Sequence, residues 1–447
     1  MAEVTEAATR GLFRNRAFLA IWSAQILSMT AANAVTYGLI VLVAELTKSN
    51  TSSSILILFA IVPAVLFGIL AGVFVDRSDR KRVLIVTNAL RALAVATFLF
   101  VDPSRVALAV PAAYVVNFVV AAITTFFVPA EAAMLPALVR RSDLLAANSL
   151  FTFTFNGAFL LGFIFLAPVV IAVAGFPLLF VVIGLMFVGA ALLCLTLPPP
   201  PPPRATGHID VAVAGEAVDH TRRELLEVLH FLAAAPMLAW ALVYIAVTYT
   251  LVAVAGALAP GFVREVLGLG ERSVVVLVGP AGLGVIAGLG VLNLIGNRLG
   301  RTHAIGLGLV VVTWALVVLA AARPVSDVLR RAADLGEAFP YFIGLVSVIA
   351  LVFGVSYAFI TVPSMTLLQE ELRDDIRGRV FGVMNVMVAV FSLLPLLVVG
   401  PVADLWGVGP VFLAGAILTG VVWAISRAER KRARRTRAAT GGAPEHA

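Results

Sequence analysis

The sequence predicts an all-α integral membrane protein of twelve transmembrane helices arranged as two pseudo-symmetric six-helix bundles. Three observations predict it. Of 447 residues, 61% are hydrophobic and only 13% charged, against about 25% charged in a soluble domain. The apolar residues fall in long charge-free runs, each enough to cross ~30 Å of hydrocarbon, which takes about 20 residues. Finally, two loops of the first half have counterparts in the second. This composition excludes a soluble globular chain and a disordered one. One Cys, Cys194, permits no intramolecular disulfide.

The runs are, in order, Ala17 to Ala44, Ser49 to Val75, Val106 to Ala130, Val228 to Val263, Ser273 to Asn297, Thr302 to Ala322, Ala338 to Gln369, Val380 to Ala403 and Leu405 to Ser426. Leu144 to Pro203 is long enough for two spans, with Gly175-Phe176-Pro177 as the turn between them. Val83 to Val101 supplies another, interrupted by Arg91. None of these runs alternates as the strands of a membrane barrel do, and the first is too long for a signal peptide. Residues 1–16 form a polar start, and 17–197 hold the first six spans. Six prolines, Pro198 to Pro203, open a linker over 198–235; they favour extended chain and exclude helix. Within it, Thr221 to Phe231 has the spacing of an amphipathic helix lying at the membrane surface. Residues 236–426 hold six more spans, and 427–447 are a basic tail.

An even number of spans puts both termini on one side, and short cytoplasmic loops carry excess Lys and Arg. Assigning that side to the cytoplasm places 24 of the 32 basic residues inside and seven outside, with Arg91 in the membrane. The expected location is a bacterial-type inner membrane, with both ends cytoplasmic. Beside a final span the basic tail reads as a topology determinant that attracts anionic lipid; no nucleic-acid partner is expected, and the chain is expected to act as a monomer. The matched loops are Asp76-Arg77-Ser78-Asp79-Arg80 with Asn297-Arg298-Leu299-Gly300-Arg301, and Pro129 to Asn148 with Pro363 to Asn385. Internal repeats of this kind build transporters that bind cargo between the halves.

Gly72-Val73-Phe74-Val75-Asp76-Arg77-Ser78-Asp79-Arg80-Lys81-Arg82 resembles the loop 2/3 signature of the major facilitator superfamily, G-x-x-x-D-R-x-x-R-[KR]. Arg377-Gly378-Arg379-Val380-Phe381-Gly382, and Leu135-Pro136-Ala137-Leu138-Val139 before Asn148, are most similar to its macrolide-efflux and enterobactin-exporter branch. The resemblance implies a secondary transporter that exports amphipathic small molecules by alternating access, driven by proton antiport and using no cofactor. Export of a siderophore or another metabolite, transport of lysophospholipid, or a non-transporting sensor are the alternatives. It further implies a conformational latch of Gly72, Asp76, Arg77 and Arg80, with Asp76 facing the N-terminus of helix 11. Glycine at position 72 lets helix 2 approach a neighbour closely, and a carboxylate suits a facing helix N-terminus.

A charge in hydrocarbon costs at least ~2.5–3.5 kcal/mol at mid-helix and needs a partner or water. Arg91 is such a charge, and Glu131 is the nearest carboxylate by depth. The two could form a static bridge or a proton-sensitive one. Glu45 and Asp404, at outer helix ends, are further coupling candidates or ordinary interfacial residues. On helix 1, Gln25, Ser28, Asn33 and Thr36 share a face within roughly 140°. Because the resemblance places helices 1, 4, 7 and 10 on the central path, the candidate cargo contacts are Gln25, Asn33, Asn117 and Tyr244, together with Asn156. Each could instead be interhelical glue. Phe155 and Phe159, four apart on helix 5, could stack on an aromatic cargo. Five scattered His residues offer no catalytic or metal constellation. The glycines of Gly279 to Gly284, inside helix 8, read as close helix packing rather than a phosphate loop.

Overall fold

A computed structural model describes residues 11–199, 235–331, 339–372 and 374–439. Twelve α-helices account for almost all of them: α1 (Arg16–Thr47), α2 (Asn50–Asp76), α3 (Arg80–Phe98), α4 (Val106–Leu138), α5 (Leu144–Phe159), α6 (Ala167–Leu195), α7 (Pro236–Phe262), α8 (Val275–Leu299), α9 (Arg301–Arg331), α10 (Phe339–Glu371), α11 (Asp374–Trp406) and α12 (Val408–Ala439). No strand occurs among the described residues. Ten stretches are long and apolar enough to span a bilayer. One of them, Arg141–Leu195, is 55 residues long, or about 80 Å at 1.5 Å per residue, far beyond one crossing. It folds back at Gly175, whose φ of 77° only glycine adopts readily, at the turn the sequence predicts. The 19-residue α3 falls short of the apolar threshold because it opens Arg80-Lys81-Arg82 and carries Arg91.

Local signals set the helix ends. Asn15 caps α1, its side chain accepting from the N–H groups of Ala17 and Phe18. Asp79 does the same for α3 through the Arg82 N–H. The chain leaves α11 at Gly407 with φ 82°. Interior prolines such as Pro111, Pro129 and Pro136 in α4 are accommodated, as is usual where neighbouring helices satisfy freed backbone groups.

The chain divides into two compact units, Met1–Lys48 with Ile55–Arg223, and Ser49–Ser54 with Glu224–Ala447. In the first, α1 packs on α4, α5 and α6, and α3 packs on α4 and α6. Edge and tilted ring contacts, Phe59 with Tyr114 and Phe118, Phe67 with Phe118 and Phe74 with Phe126, join α2 to α4. In the second, α10 packs on α7, α8 and α9, and α9 on α12. The first helix of each unit is the most enclosed: 72% of the spanning window of α1 and 61% of that of α7 are buried, against 22–44% for the others. Large apolar side chains such as Val173, Leu294 and Leu145 cover the exterior, as a lipid-facing surface requires.

Two boundaries differ from expectation. The helix of the apolar run Thr302 to Ala322 does not end with the run, because α9 continues through Pro324 to Arg331. The basic tail does not start as a coil; α12 continues through it to Ala439, since Ala, Arg, Lys and Glu are strong helix formers. The first described helix of the second half begins at Pro236; the amphipathic helix over 221–231 and most of the linker lie outside the described residues.

Candidate functional site

The loop between α2 and α3 places the expected latch residues at one end of the first unit. Asp76 is exposed at the last position of α2, and Arg77 is half-buried beside it. Arg80 is buried at 7% exposure and its Nη1 donates to the Ala133 carbonyl at 3.1 Å. It therefore ties the start of α3 to the inner part of α4. Lys81 Nζ bonds the Leu197 carbonyl, tying α3 to the end of α6. Among the described residues, a Cβ on Gly72 would meet nothing within 4 Å, so no close helix approach at Gly72 is formed there. The side chains of Arg377 and Arg379, on the expected partner helix, lie outside the described residues.

A buried polar network lies deeper in the same unit. Arg91 sits eleven residues into α3, about 16 Å along it, and is fully buried. Its Nε donates to the Thr87 carbonyl at 3.3 Å, Nη1 to Thr124 Oγ1 at 3.2 Å and Nη2 to Asn88 Oδ1 at 2.9 Å. The same Asn88 oxygen accepts from Ser28 on α1 at 3.0 Å. The guanidinium carbon lies 4.6 and 4.9 Å from the ring centres of Phe127 and Phe187. Hydrogen bonds to a charged group contribute about 1.5–3 kcal/mol each and a desolvated cation–π contact about 2. Together these offset the insertion cost of the charge.

Glu131 is 3% exposed on α4, and its Oε1 is buried without a hydrogen-bond partner. The expected static bridge is not formed. Arg91 donates one hydrogen bond each to Thr87, Thr124 and Asn88, and no Arg91–Glu131 ion pair is present among the described residues. Both are buried in the interior of the first unit, where charges act over longer distances than in water. Such a carboxyl keeps one oxygen free for a proton or a water molecule. The sequence offered a sign of this network that went unread: Asn88 precedes Arg91 by three residues, the spacing that puts both on one helix face. The contributions of Phe127 and Phe187 come from other helices and carry no local signal.

The expected cargo contacts separate into two groups. Gln25 and Asn117 are buried and committed. Gln25 donates to the Phe151 carbonyl at 3.2 Å and accepts from Thr154 at 2.8 Å, while Asn117 donates to the Leu56 carbonyl at 2.8 Å and accepts from Thr36 at 3.1 Å. Both bind helices together. Asn33, half-buried, uses only its amide, toward the Met29 carbonyl of its own helix at 2.8 Å. Phe155 is 46% exposed, and Phe159 does not stack with it. Phe159 lies parallel to Phe163, centroids 5.1 Å apart, and Phe163 meets Tyr37 edge-on at 5.1 Å. Phe159 precedes and Phe163 lies within a π-helical segment, Leu160–Leu166, a local departure from the α-helix that is frequent at functional sites. Asn156 lies on α5, its side chain outside the described residues.

In the second unit Tyr244 is 3% exposed and stacks on Trp240 at 5.8 Å. Asp404, at the end of α11, is not a free interfacial carboxylate. It accepts from the Asn50 and Thr51 N–H groups at 2.7 and 3.0 Å and from the Ser49 and Thr51 hydroxyls at 2.7 Å. It thereby caps the opening turn of α2, Ser49–Ser54, which groups with this unit. Beside it Asn50 Nδ2 donates to Glu265 at 3.0 Å, and Glu265 pairs with Arg264 at 3.0 Å and Arg323 at 3.7 Å. Glu45 is half-buried in the last turn of α1.

Two helical units with an apolar exterior, and charged groups that among the described residues lie at helix ends and in one interior network, describe a multi-spanning membrane protein. The chain belongs to the Major Facilitator Superfamily, whose family model matches residues 21–394. Solved structures agree in fold. The nucleoside transporter NupG is 13% identical with a TM-score of 0.61, covering 92% of this chain and 98% of that one. A bacterial homolog of the human lysosomal transporter Spinster, in an inward-facing and unoccupied conformation, is 14% identical with a TM-score of 0.62, covering 93% and 96%. A D-xylose–proton symporter is 15% identical with a TM-score of 0.62, covering 89% and 95%. No curated protein sequence matches.

Proposed function

We propose that this transporter exports amphipathic, largely apolar small molecules by alternating access, driven by proton antiport, in the manner of the macrolide-efflux branch that Arg377-Gly378-Arg379-Val380-Phe381-Gly382 resembles. The observation that carries the reading is the distribution of charge. Among the described residues, Arg91 and Glu131 are the ionisable pair set well inside the spans, and both are enclosed within the first unit. Arg91 is enclosed and hydrogen-bonded within its own network, so a cargo meets few fixed charges, which disfavours sugar phosphates and metal ions. The aromatic group Tyr37, Phe159 and Phe163, with the exposed Phe155, suits a ring-bearing ligand.

Glu131, with its unpartnered oxygen, is the proton carrier in this reading, and Asp76 with Arg80 forms one of the two bistable arrangements that alternating access needs. The protein works as a monomer in a bacterial-type inner membrane with both termini cytoplasmic. The test is drug susceptibility of cells lacking the gene, restored with wild type, Asp76→Asn or Glu131→Gln. Wild type should restore tolerance and both variants should fail. Equal susceptibility in all four strains would remove the drug-export assignment.

A further inference from the structure

We infer that the first unit carries a binding site for the phosphate of an anionic phospholipid, in the concavity between the start of α1 and the turn that joins α4 to α5. The concavity encloses about 470 Å³ and is lined by Gly11 to Asn15 on one side and Ala137 to Asp143 on the other. It stands at the mouth of a span, because α1 enters its membrane-crossing stretch at Arg16. Basic pockets between helices at a membrane surface are suited to lipid headgroups.

Its walls are built rather than accidental. Asn15 Nδ2 donates to the Leu138 carbonyl at 2.7 Å, clamping the two segments of chain together, and Leu12 is fully buried beneath them. Arg140 spends Nε on Asp143 at 3.0 Å, and the other Asp143 oxygen accepts from Ser142 at 3.0 Å. The single carboxylate of the site is thus occupied, and the two terminal nitrogens of Arg140 are left for a ligand. One of them lies 3.5 Å from where a Cβ on Gly11 would stand, which directs the guanidinium across the concavity. Arg14 is exposed on the opposite wall and makes no ion pair among the described residues. The positive end of the 32-residue α1 adds a further attraction for an anion.

A lipid fits better than free phosphate because the rim is also apolar. Phe13 is 46% exposed beside Arg14 and meets Trp22 edge-on at 5.7 Å, the pairing of aromatic and cationic side chains that anchors chains at the membrane–water interface.

The test is native mass spectrometry of the full chain in detergent, titrated separately with phosphatidylglycerol, phosphatidylcholine and inorganic phosphate. Phosphatidylglycerol should be retained in preference to phosphatidylcholine. Arg14→Gln and Arg140→Gln should each weaken that retention about fivefold, the factor equivalent to the ~1 kcal/mol one arginine contributes near an anionic surface. Arg140→Lys should keep most of it, and Arg298→Gln, an equal charge loss in the second unit, should change nothing. Retention of phosphatidylglycerol by the Arg14→Gln/Arg140→Gln double variant at the wild-type level would overturn the assignment. So would saturation by inorganic phosphate without preference between the two lipids, which would give the pocket to a soluble anion. Monodispersity on gel filtration checks that each variant folds.

Discussion

Replacing Gly284 of α8 by alanine should separate two helices that the sequence brings into backbone contact. A Cβ on Gly284 would stand 2.0 Å from the Leu351 carbonyl oxygen on α10, 2.8 Å from its carbon and 3.1 Å from its Cα. Ordinary van der Waals contact begins near 3.4 Å, so relief requires a shift of about 1.4 Å. The obstacle is backbone and cannot swing aside as a side chain would. The approach is also reciprocal: a Cβ on Gly354 would lie 1.8 Å from the Ala281 carbonyl oxygen. Overpacking costs about 1–3 kcal/mol where side chains can yield, and here the upper figure applies. At about 2–4 °C per kcal/mol for a unit of this size, Gly284→Ala should lower the melting temperature in detergent by about 6–12 °C. Gly290, six residues further along α8, is the control because a Cβ there meets nothing within 4 Å. Gly290→Ala should be neutral or slightly stabilising, since alanine favours helix over glycine by up to ~1 kcal/mol. Equal melting temperatures for the two variants would refute the close-packing argument.

Asp404→Ala removes four hydrogen bonds from the first turn of α2; loss of a cap costs about 1–2 kcal/mol, read as a drop of several degrees in melting temperature. Asn117→Ala orphans the Leu56 carbonyl and breaks the link to Thr36, so it should lower thermal stability by roughly 1–3 kcal/mol while leaving the apparent KM for cargo near wild type. Arg91→Met, similar in length and apolar, should fold with little stability loss because the Asn88 oxygen keeps its Ser28 donor, yet abolish gradient-driven transport. Phe159→Ala removes the ring that stacks on Phe163 and should raise the KM of aromatic cargo more than that of aliphatic cargo, measured as concentration-dependent uptake into inverted vesicles.

The spans were legible because hydrocarbon imposes one strong rule, a long apolar run, and the turn at Gly175 was legible because Gly and Pro punctuate it. The close packing at Gly284 agrees with reading Gly279 to Gly284 as packing glycines, but a helical glycine does not fix a close approach by itself, since a Cβ on Gly72 or Gly290 would meet nothing within 4 Å. What the sequence could not show was pairing across helices. Gln25 and Asn117 look identical, as polar residues on an apolar helix, whether they face cargo or a neighbouring carbonyl, and the structure ties both to neighbours. Depth matched Arg91 with Glu131, but nearness in depth does not fix distance, and the guanidinium is instead held by Asn88, Thr124 and two rings. Asp404 illustrates the same limit: its partners, Ser49 to Thr51, lie more than 350 residues away in the chain.

Proteoliposomes with an acid interior test the central claim most directly. A proton antiporter of this design should accumulate an externally added amphipathic drug against its gradient while the drug speeds alkalinisation of the lumen. A protonophore, which dissipates the gradient by itself, should abolish the accumulation, and Glu131→Gln, though folded, should show neither accumulation nor drug-dependent alkalinisation. Accumulation that persists without a pH gradient, or that Glu131→Gln supports at the wild-type rate, would contradict it.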